Sequence, residues 1–402
     1  MNILVIGNGF DVAHGLKTKY DQFLDFVKNI ESTEYFRNLS PELQSEYTSL
    51  INGNVWFEHF IKTKEERKNT KQNWIDFEAE ISNVTQELDR IRNEFNSKNI
   101  HNKINYSTPI STSYKIISSC CKIEGATNEH YMSQTRLNNI KEKFVKDLNR
   151  LTRCLELYLS DFLDIVQCKK IPLFANANAL DYVITFNYTD TYERLYLDKL
   201  SDMFYCGEKS KEEKIHYIHG KARFNEDIQN TIDKVLKEKL ESISKEYENG
   251  KITYEAKEKK DEKIKIQTPK QIKLEECDLV LGIEEYLGKE DSQKDNEYIE
   301  FKKFYQRIYK GTGSTYTKWL QKCQGTGEEI NVTIYGHSIA TTDGDIIKNL
   351  IEAAATTTIY YYGKSALHDI ILNLVQIIGE EKLIEMTSDD SKSGRIIFKS
   401  VP

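Results

Sequence analysis

Long apolar runs are missing from this chain: no stretch approaches the ~18 to 20 residues needed to cross a bilayer, and Met1 to Ile6 is too short for the apolar segment of a secretion signal. No membrane association is expected, and the reading is a soluble cytoplasmic protein. Seven cysteines are scattered without a C-x-x-C pair, so half of a zinc site cannot be assembled from neighbours, and the odd count suggests reduced thiols. Eight dispersed histidines give a metal site little support, and no metal is expected. Also lacking are the G-x-x-x-x-G-K-[ST] phosphate loop, H-E-x-x-H, the G-x-S-x-G elbow and the His/Cys/Cys deaminase signature. A formal charge of -7 gives no general attraction to nucleic acid or anionic lipid. There is no tandem repeat and no low-complexity linker.

What is present begins at once. Ile3-Leu4-Val5-Ile6 is an apolar run of strand length that ends in Gly7-Asn8-Gly9-Phe10-Asp11. Glycine lets the chain turn sharply after a strand and lie close to a pyrophosphate, and many nucleotide-binding α/β domains start this way. The third glycine of the dinucleotide fingerprint is absent. Three later segments repeat the pattern of polar residues just past an apolar run: Asn187-Tyr188-Thr189-Asp190, His219-Gly220 and Gly336-His337-Ser338. Open parallel sheets bind ligands beyond the carboxyl ends of their strands, so these four ends could share one crevice.

The organisation fits that picture. Gly7 to Thr18 reads as a loop and Lys19 to Ile30 as a helix. From about Pro41 to Cys168 the pattern is mainly helical, clearest in the stripe Ile140, Phe144, Leu148, Leu151, Leu155, Tyr158, Phe162 and Val166, while the polar Lys98 to Asn128 stretch reads as irregular. Strand character returns at Ala179 to Phe186, Ile215 to Ile218, Leu279 to Leu281, Val332 to Tyr335 and Thr358 to Tyr362, with helices at Glu193 to Leu200 and Ile346 to Ala355 between them. The expectation is an α/β chain in which residues 1–35 and 176–402 form a parallel-sheet nucleotide-binding domain. Residues 36–175 would be a large helical insertion between the first and second strands, and 225–273 a charged helical insertion.

Plainer roles stand beside each candidate. Asn187 could close an Asx turn, His219 and His216 could be core histidines bonded to carbonyls, and Ser338 or Asp343 could cap a helix. Asp11 could cap the first helix or hold a ribose hydroxyl, and the sequence does not separate structural from ligand work for His14. Trp74, Asp76, Glu78 and Glu80 form an acidic cluster from which a divalent nuclease site could be built, although a solvated helix face is the commoner meaning.

Taken in order, Ile6 to Tyr20, Asn73 to Glu78, Thr185-Phe186-Asn187-Tyr188-Thr189, Ile218-His219-Gly220 and Tyr335 to Ile339 resemble the bacterial abortive-infection AbiH family. The resemblance implies a role in defence against bacteriophage. More distantly, the same skeleton is similar to sirtuin-like NAD-binding domains, which implies a Rossmann-like sheet. There Gly7, Asn8, Gly9 and Phe10 would lie at the phosphates and Thr185 at the ribose, with Asp11, His14, Tyr188 and Asp190 also among the nucleotide-binding residues. Asn187 and His219 would be catalytic, with Gly220, Gly336, His337 and Ser338 completing the site. The sirtuin zinc ribbon is absent, and Asn8 and Asp11 depart from the sirtuin loop. The expectation is therefore an effector that hydrolyses NAD, its substrate, at the nicotinamide bond upon infection, with a phage-encoded trigger or a partner defence protein and a homo-oligomer among the partners to test. The alternatives are a nucleotide-sensing module without hydrolysis and a metal-dependent nuclease.

Overall fold

A computed structural model describes residues 1–32, 36–37, 41–67, 75–97, 112–120, 134–162, 168, 171, 180–197, 214–222, 277–283, 295–387 and 395–401. The charged insertion expected at 225–273 and Trp74 lie outside the described residues. Six strands, β1 (Asn2–Ile6), β2 (Tyr182–Thr185), β3 (Ile215–Tyr217), β4 (Asn331–Tyr335), β5 (Thr356–Tyr361) and β6 (Ile396–Ser400), form one sheet in the order β3-β2-β1-β4-β5-β6. Every pairing is parallel. This is the expected α/β class. The order reverses direction between β1 and β4, and such a reversal opens a crevice beyond the carboxyl ends of those two strands.

The central strands β1 and β2 are almost wholly apolar and buried because both faces of the sheet are covered there, whereas β5 and β6 toward the edge are more polar and partly exposed. Alternation sends Ile3, Val5, Ile184 and Ile334 to one face and Leu4, Ile6, Val183 and Tyr335 to the other. The first face packs against α10 (Thr315–Thr326), α11 (Gly344–Ala353), α12 (Gly363–Ile378) and α13 (Glu380–Thr387) through residues such as Trp319, Ile347 and Leu374. The second meets α1 (Asn8–Ala13) and α8 (Thr191–Tyr196) through Phe10, Tyr192 and Tyr196. Between β1 and β2 the chain builds a separate helical core from α2 (Tyr20–Asn29), α3 (Pro41–Ile51), α4 (Val55–Arg67), α5 (Phe77–Ser97), α6 (Thr112–Cys120) and α7 (Gln134–Leu157). The stripe Ile140, Phe144, Leu148, Leu151 and Leu155 of α7 is buried in that core, as its spacing suggests. Among the described residues no helix is long and apolar enough to cross a membrane.

Several elements differ from the sequence expectation for identifiable reasons. Asn8–Ala13 is helical where a loop was expected, and α6 lies inside the polar 98–128 stretch because Ile116 and Ile117 reach the helical core. Phe23, Leu24 and Val27 of α2, expected with the sheet, also pack in that core. Leu279 to Leu281 is extended but belongs to no strand. Its backbone groups are used elsewhere: Val280 N–H donates to His219 O at 2.8 Å, and the Gln306 side chain bonds both N–H and C=O of Leu281. Strand β6 was not anticipated and pairs with β5 at the sheet edge.

The crevice is shaped by glycines in direct backbone contact. Gly9 N–H donates to Gly336 O at 2.7 Å, and a Cβ on Gly336, whose φ is +67°, would sit 2.2 Å from Phe10 N. These residues therefore weld the end of β1 to the end of β4. The left-handed backbone alone costs an L-residue about 1 to 2 kcal/mol, and no side chain can move to relieve the overlap. Gly336→Ala should destabilise the fold by roughly 3 kcal/mol or more. Gly327→Ala, at φ +69° and ψ +17° with open space around it, should lose only the backbone amount. Urea unfolding of both variants checks this, and equal losses would refute the weld.

Candidate functional site

A cavity of about 470 Å³ lies at the strand-order reversal, between the carboxyl ends of β1, β2 and β4 and the helical layer. That is within the usual range for small-molecule sites, roughly 300 to 1,000 Å³. Of the residues singled out from sequence, Gly7, Asn8, Gly9, Asp11, Asn187, Tyr188, Thr189, His219, Gly336, His337 and Ser338 line it. Phe10, His14, Thr185, Asp190 and Gly220 do not. The ring nitrogens of His14 are both engaged: Nδ1 donates to Phe10 O at 2.7 Å and Nε2 accepts from Tyr196 Oη at 2.7 Å. Asp190 is tied to Arg194 Nε at 2.5 Å. Thr185 Oγ1 accepts the Asn187 N–H, and Phe10 packs beneath the loop against His14. Gly220, at φ +81°, allows the chain after His219 to pass against Asp278 O.

Asn187 is not closing its own turn. Its Nδ2 donates to Gly7 O at 3.0 Å, joining the end of β2 to the end of β1. Gly7 N–H is likewise taken by Tyr335 O, so the N–H groups of both loop glycines are used inside the protein. Ser338 is exposed and its carbonyl accepts from Asn373 Nδ2.

The centre of the site is a chain of charges that sequence reasoning only partly foresaw. Lys303, the first residue of α9 (Lys303–Tyr309), is buried, with its Nζ 2.8 Å from Asp343 Oδ1 and 2.9 Å from Glu78 Oε2. Thr342 Oγ1 donates to the same Glu78 oxygen at 2.7 Å. His219 Nε2 lies 3.0 Å from Asp343 Oδ1. A carboxylate can only accept, so the imidazole proton sits on Nε2 and Nδ1 carries the lone pair. That Nδ1 is buried and has no partner among the described residues. Burial, only partly offset by Asp343, pushes the His219 pKa down to about 4, and the ring is neutral at physiological pH. Burial alone would raise Asp343, but Lys303 and His219 together hold it well below the usual carboxylate range. Burial raises Glu78 to about 7, against the opposing pull of Lys303.

His337 completes the arrangement. Its Nδ1 accepts the Ile339 N–H at 2.9 Å, which directs Nε2–H toward Asp343 Oδ2 at 3.6 Å. Ile339 has φ +57°, a region that β-branched residues rarely occupy, and such strain collects at functional sites. The Phe186 ring contacts both imidazoles, 5.4 Å from His219 and 4.3 Å from His337. His216, by contrast, is a core histidine, its Nε2 bonded to Thr312 O.

Asp343 stands at the helix-capping position that sequence suggested for it, yet its carboxylate serves His219 and Lys303 and makes no cap bond. Lys303 follows an exposed-looking charged stretch and gave no sequence signal. The acidic cluster divides. Asp76 Oδ1 caps α5 by accepting from the N–H groups of Glu78 and Ala79, Glu80 pairs with Arg67 and His59, and only Glu78 joins the charge chain.

Asp11 is the other buried acid. Its Oδ2 accepts from Thr189 Oγ1 at 2.5 Å, its Oδ1 has no partner among the described residues, and burial pushes its pKa up to about 6. Between its ordinary value near 3.8 and about 6, the folded chain keeps a proton that the unfolded chain has released. Stability from this group therefore falls as pH rises through that window and is lowest above it. Asp11→Asn should be more stable than the parent at pH 8 by about 3 kcal/mol, with the gain disappearing toward pH 4. Denaturant titrations at both pH values check this, and an Asn variant destabilised at pH 8 would show that the carboxylate is a structural acceptor.

Comparison with curated proteins returns no match, and neither does comparison with solved structures. A family model described as Bacteriophage abortive infection AbiH matches residues 3–362. The matched span carries the glycine weld, Asn187 and the whole Glu78–Lys303–Asp343–His219 chain, and on that extent the chain belongs to the bacteriophage abortive infection AbiH family.

Proposed function

We propose that this defence protein hydrolyses NAD at the bond between nicotinamide and ribose when phage infection switches it on. The observation that carries the reading is the neutral His219, fixed by Asp343 in one tautomer with Nδ1 unpartnered among the described residues, on a side chain that lines a nucleotide-sized cavity at the strand-order reversal. Water would attack the anomeric carbon as the bond to nicotinamide breaks. The electron pair of that bond leaves with the nicotinamide, which departs neutral, and His219 Nδ1 takes the proton from the water. The Asp343 carboxylate stabilises the imidazolium that forms, a general-base contribution of about 10² to 10⁴ in rate. Asn187 and the welded loop hold the strand ends in position beneath the ligand. Because the N–H groups of Gly7 and Gly9 are engaged, these two glycines contribute shape and close approach rather than donors to a phosphate.

The nuclease alternative is less favoured, because Asp76 Oδ1 caps α5, Glu80 pairs with Arg67 and Lys303 already holds Glu78 Oε2. Nucleotide sensing without hydrolysis uses the same cavity and becomes an outcome of the test.

Cells expressing the wild-type protein should lose NAD and accumulate nicotinamide after phage challenge. His219→Ala should slow that loss at least a hundredfold. Asp343→Asn should do nearly the same, because an amide can present a donor to Nε2 and reverse the tautomer. Mass spectrometry of both metabolites, with the folded amount of each variant measured in parallel, decides the matter. Protection without loss of NAD would reject hydrolysis and favour sensing.

A further inference from the structure

Glu78 is supplied by the helical layer, yet it completes a site built on the sheet. Its Oε2 is saturated by Lys303 and Thr342, while Oε1 has no partner among the described residues and the side chain lines the cavity. Charge around the cavity is lopsided. Three buried or nearly buried carboxylates, Asp11, Glu78 and Asp343, face it, against one buried cation, Lys303, whose ammonium is already shared by two of them. No arginine is among the described lining residues, and Lys19 lies exposed at the margin. Asp11 Oδ1 and His219 Nδ1, both buried acceptors, have no partner among the described residues. The described wall therefore has a surplus of negative charge and acceptors, flanked by the aromatic rings of Tyr20, Phe186 and Tyr188. Such a lining suits a flat cation and hydroxyl donors and repels a buried phosphate.

Building on the NAD reading, we propose that Glu78 is a substrate-contacting residue whose free carboxylate oxygen selects a cationic N-ribosyl group. The cavity then takes the oxidised pyridinium end of the dinucleotide in preference to the neutral dihydropyridine end, and the phosphates lie toward the mouth. A negative charge placed there also favours the positive charge that develops on the ribose as nicotinamide departs. Glu78 faces Lys303, Asp343 and Asp76 together with the Tyr20 and Tyr188 hydroxyls, and Lys303 is the only cation of that set. With Lys303 and Thr342 on Oε2, a proton on Glu78 resides on Oε1. The selective charge is therefore present above about pH 7 and lost below it.

The test is calorimetric binding of NAD⁺ and NADH to the full-length His219→Ala protein, where turnover is blocked. NAD⁺ should bind at least tenfold more tightly than NADH at pH 8, and the ratio should shrink toward unity at pH 6. Adding Glu78→Gln should abolish the preference at both pH values, whereas Glu78→Asp should restore most of it at pH 8. Equal affinity for the two forms, or a preference unchanged by Glu78→Gln, would overturn the role of Glu78 while leaving NAD as the ligand. Binding of neither nucleotide would overturn both proposals.

Discussion

One buried ammonium joins the two halves of this molecule. Lys303 reaches Asp343, next to the sheet, and Glu78, at the start of a helix in the other layer, and it is buried in doing so. Charges so placed are expensive to remove from water, and leaving either partner unpaired would cost about 3 to 5 kcal/mol. The geometry is therefore strongly determined: the layers must meet where Lys303 can satisfy both carboxylates. Asp343, fixed as an anion, then dictates which nitrogen of His219 carries the proton. The lone pair on Nδ1 follows from that choice.

The cavity depends on the same constraint from the other side. Glycines at the ends of β1 and β4 allow two backbones to touch, and Asn187 ties in β2, so the strand ends present a tight rim with little freedom to shift. Rigidity of this kind is what positions a reacting group. Against that rim stand features that folding alone would disfavour: Asp11 buried with one oxygen unpartnered among the described residues, Ile339 in left-handed backbone and Glu78 with a raised pKa. Their concentration around one cavity is the pattern expected where stability is spent on function.

Much of the scaffold was legible because its signals are local. The apolar run of β1, the 3.6-residue stripe of α7 and the polar residues past each strand are patterns within single segments, and they gave the α/β class, the helical layer and eleven of the lining residues, Thr189 among them. What escaped depends on partners far apart in sequence. Lys303 acquires meaning only when residues 78 and 343 converge on it. Asp343 has the features of a helix cap, and only the approach of His219 and Lys303 reveals its other use. His14 misled for the complementary reason: a histidine beside a glycine loop looks like a ligand until Tyr196 takes its second nitrogen. Likewise Leu279 to Leu281 has strand character, but its backbone bonds go to His219 and Gln306.

The account rests on the state of one imidazole. Selective ¹⁵N labelling of histidine, with His219 assigned by comparison with His219→Ala, would report its tautomer and charge as pH is varied between about 5 and 8. A neutral ring protonated on Nε2 throughout is the expected result, since burial beside Asp343 and Lys303 lowers its pKa to about 4. A ring that becomes charged near the ordinary histidine value, or one that carries its proton on Nδ1, would leave no lone pair on Nδ1 and contradict the proposed chemistry.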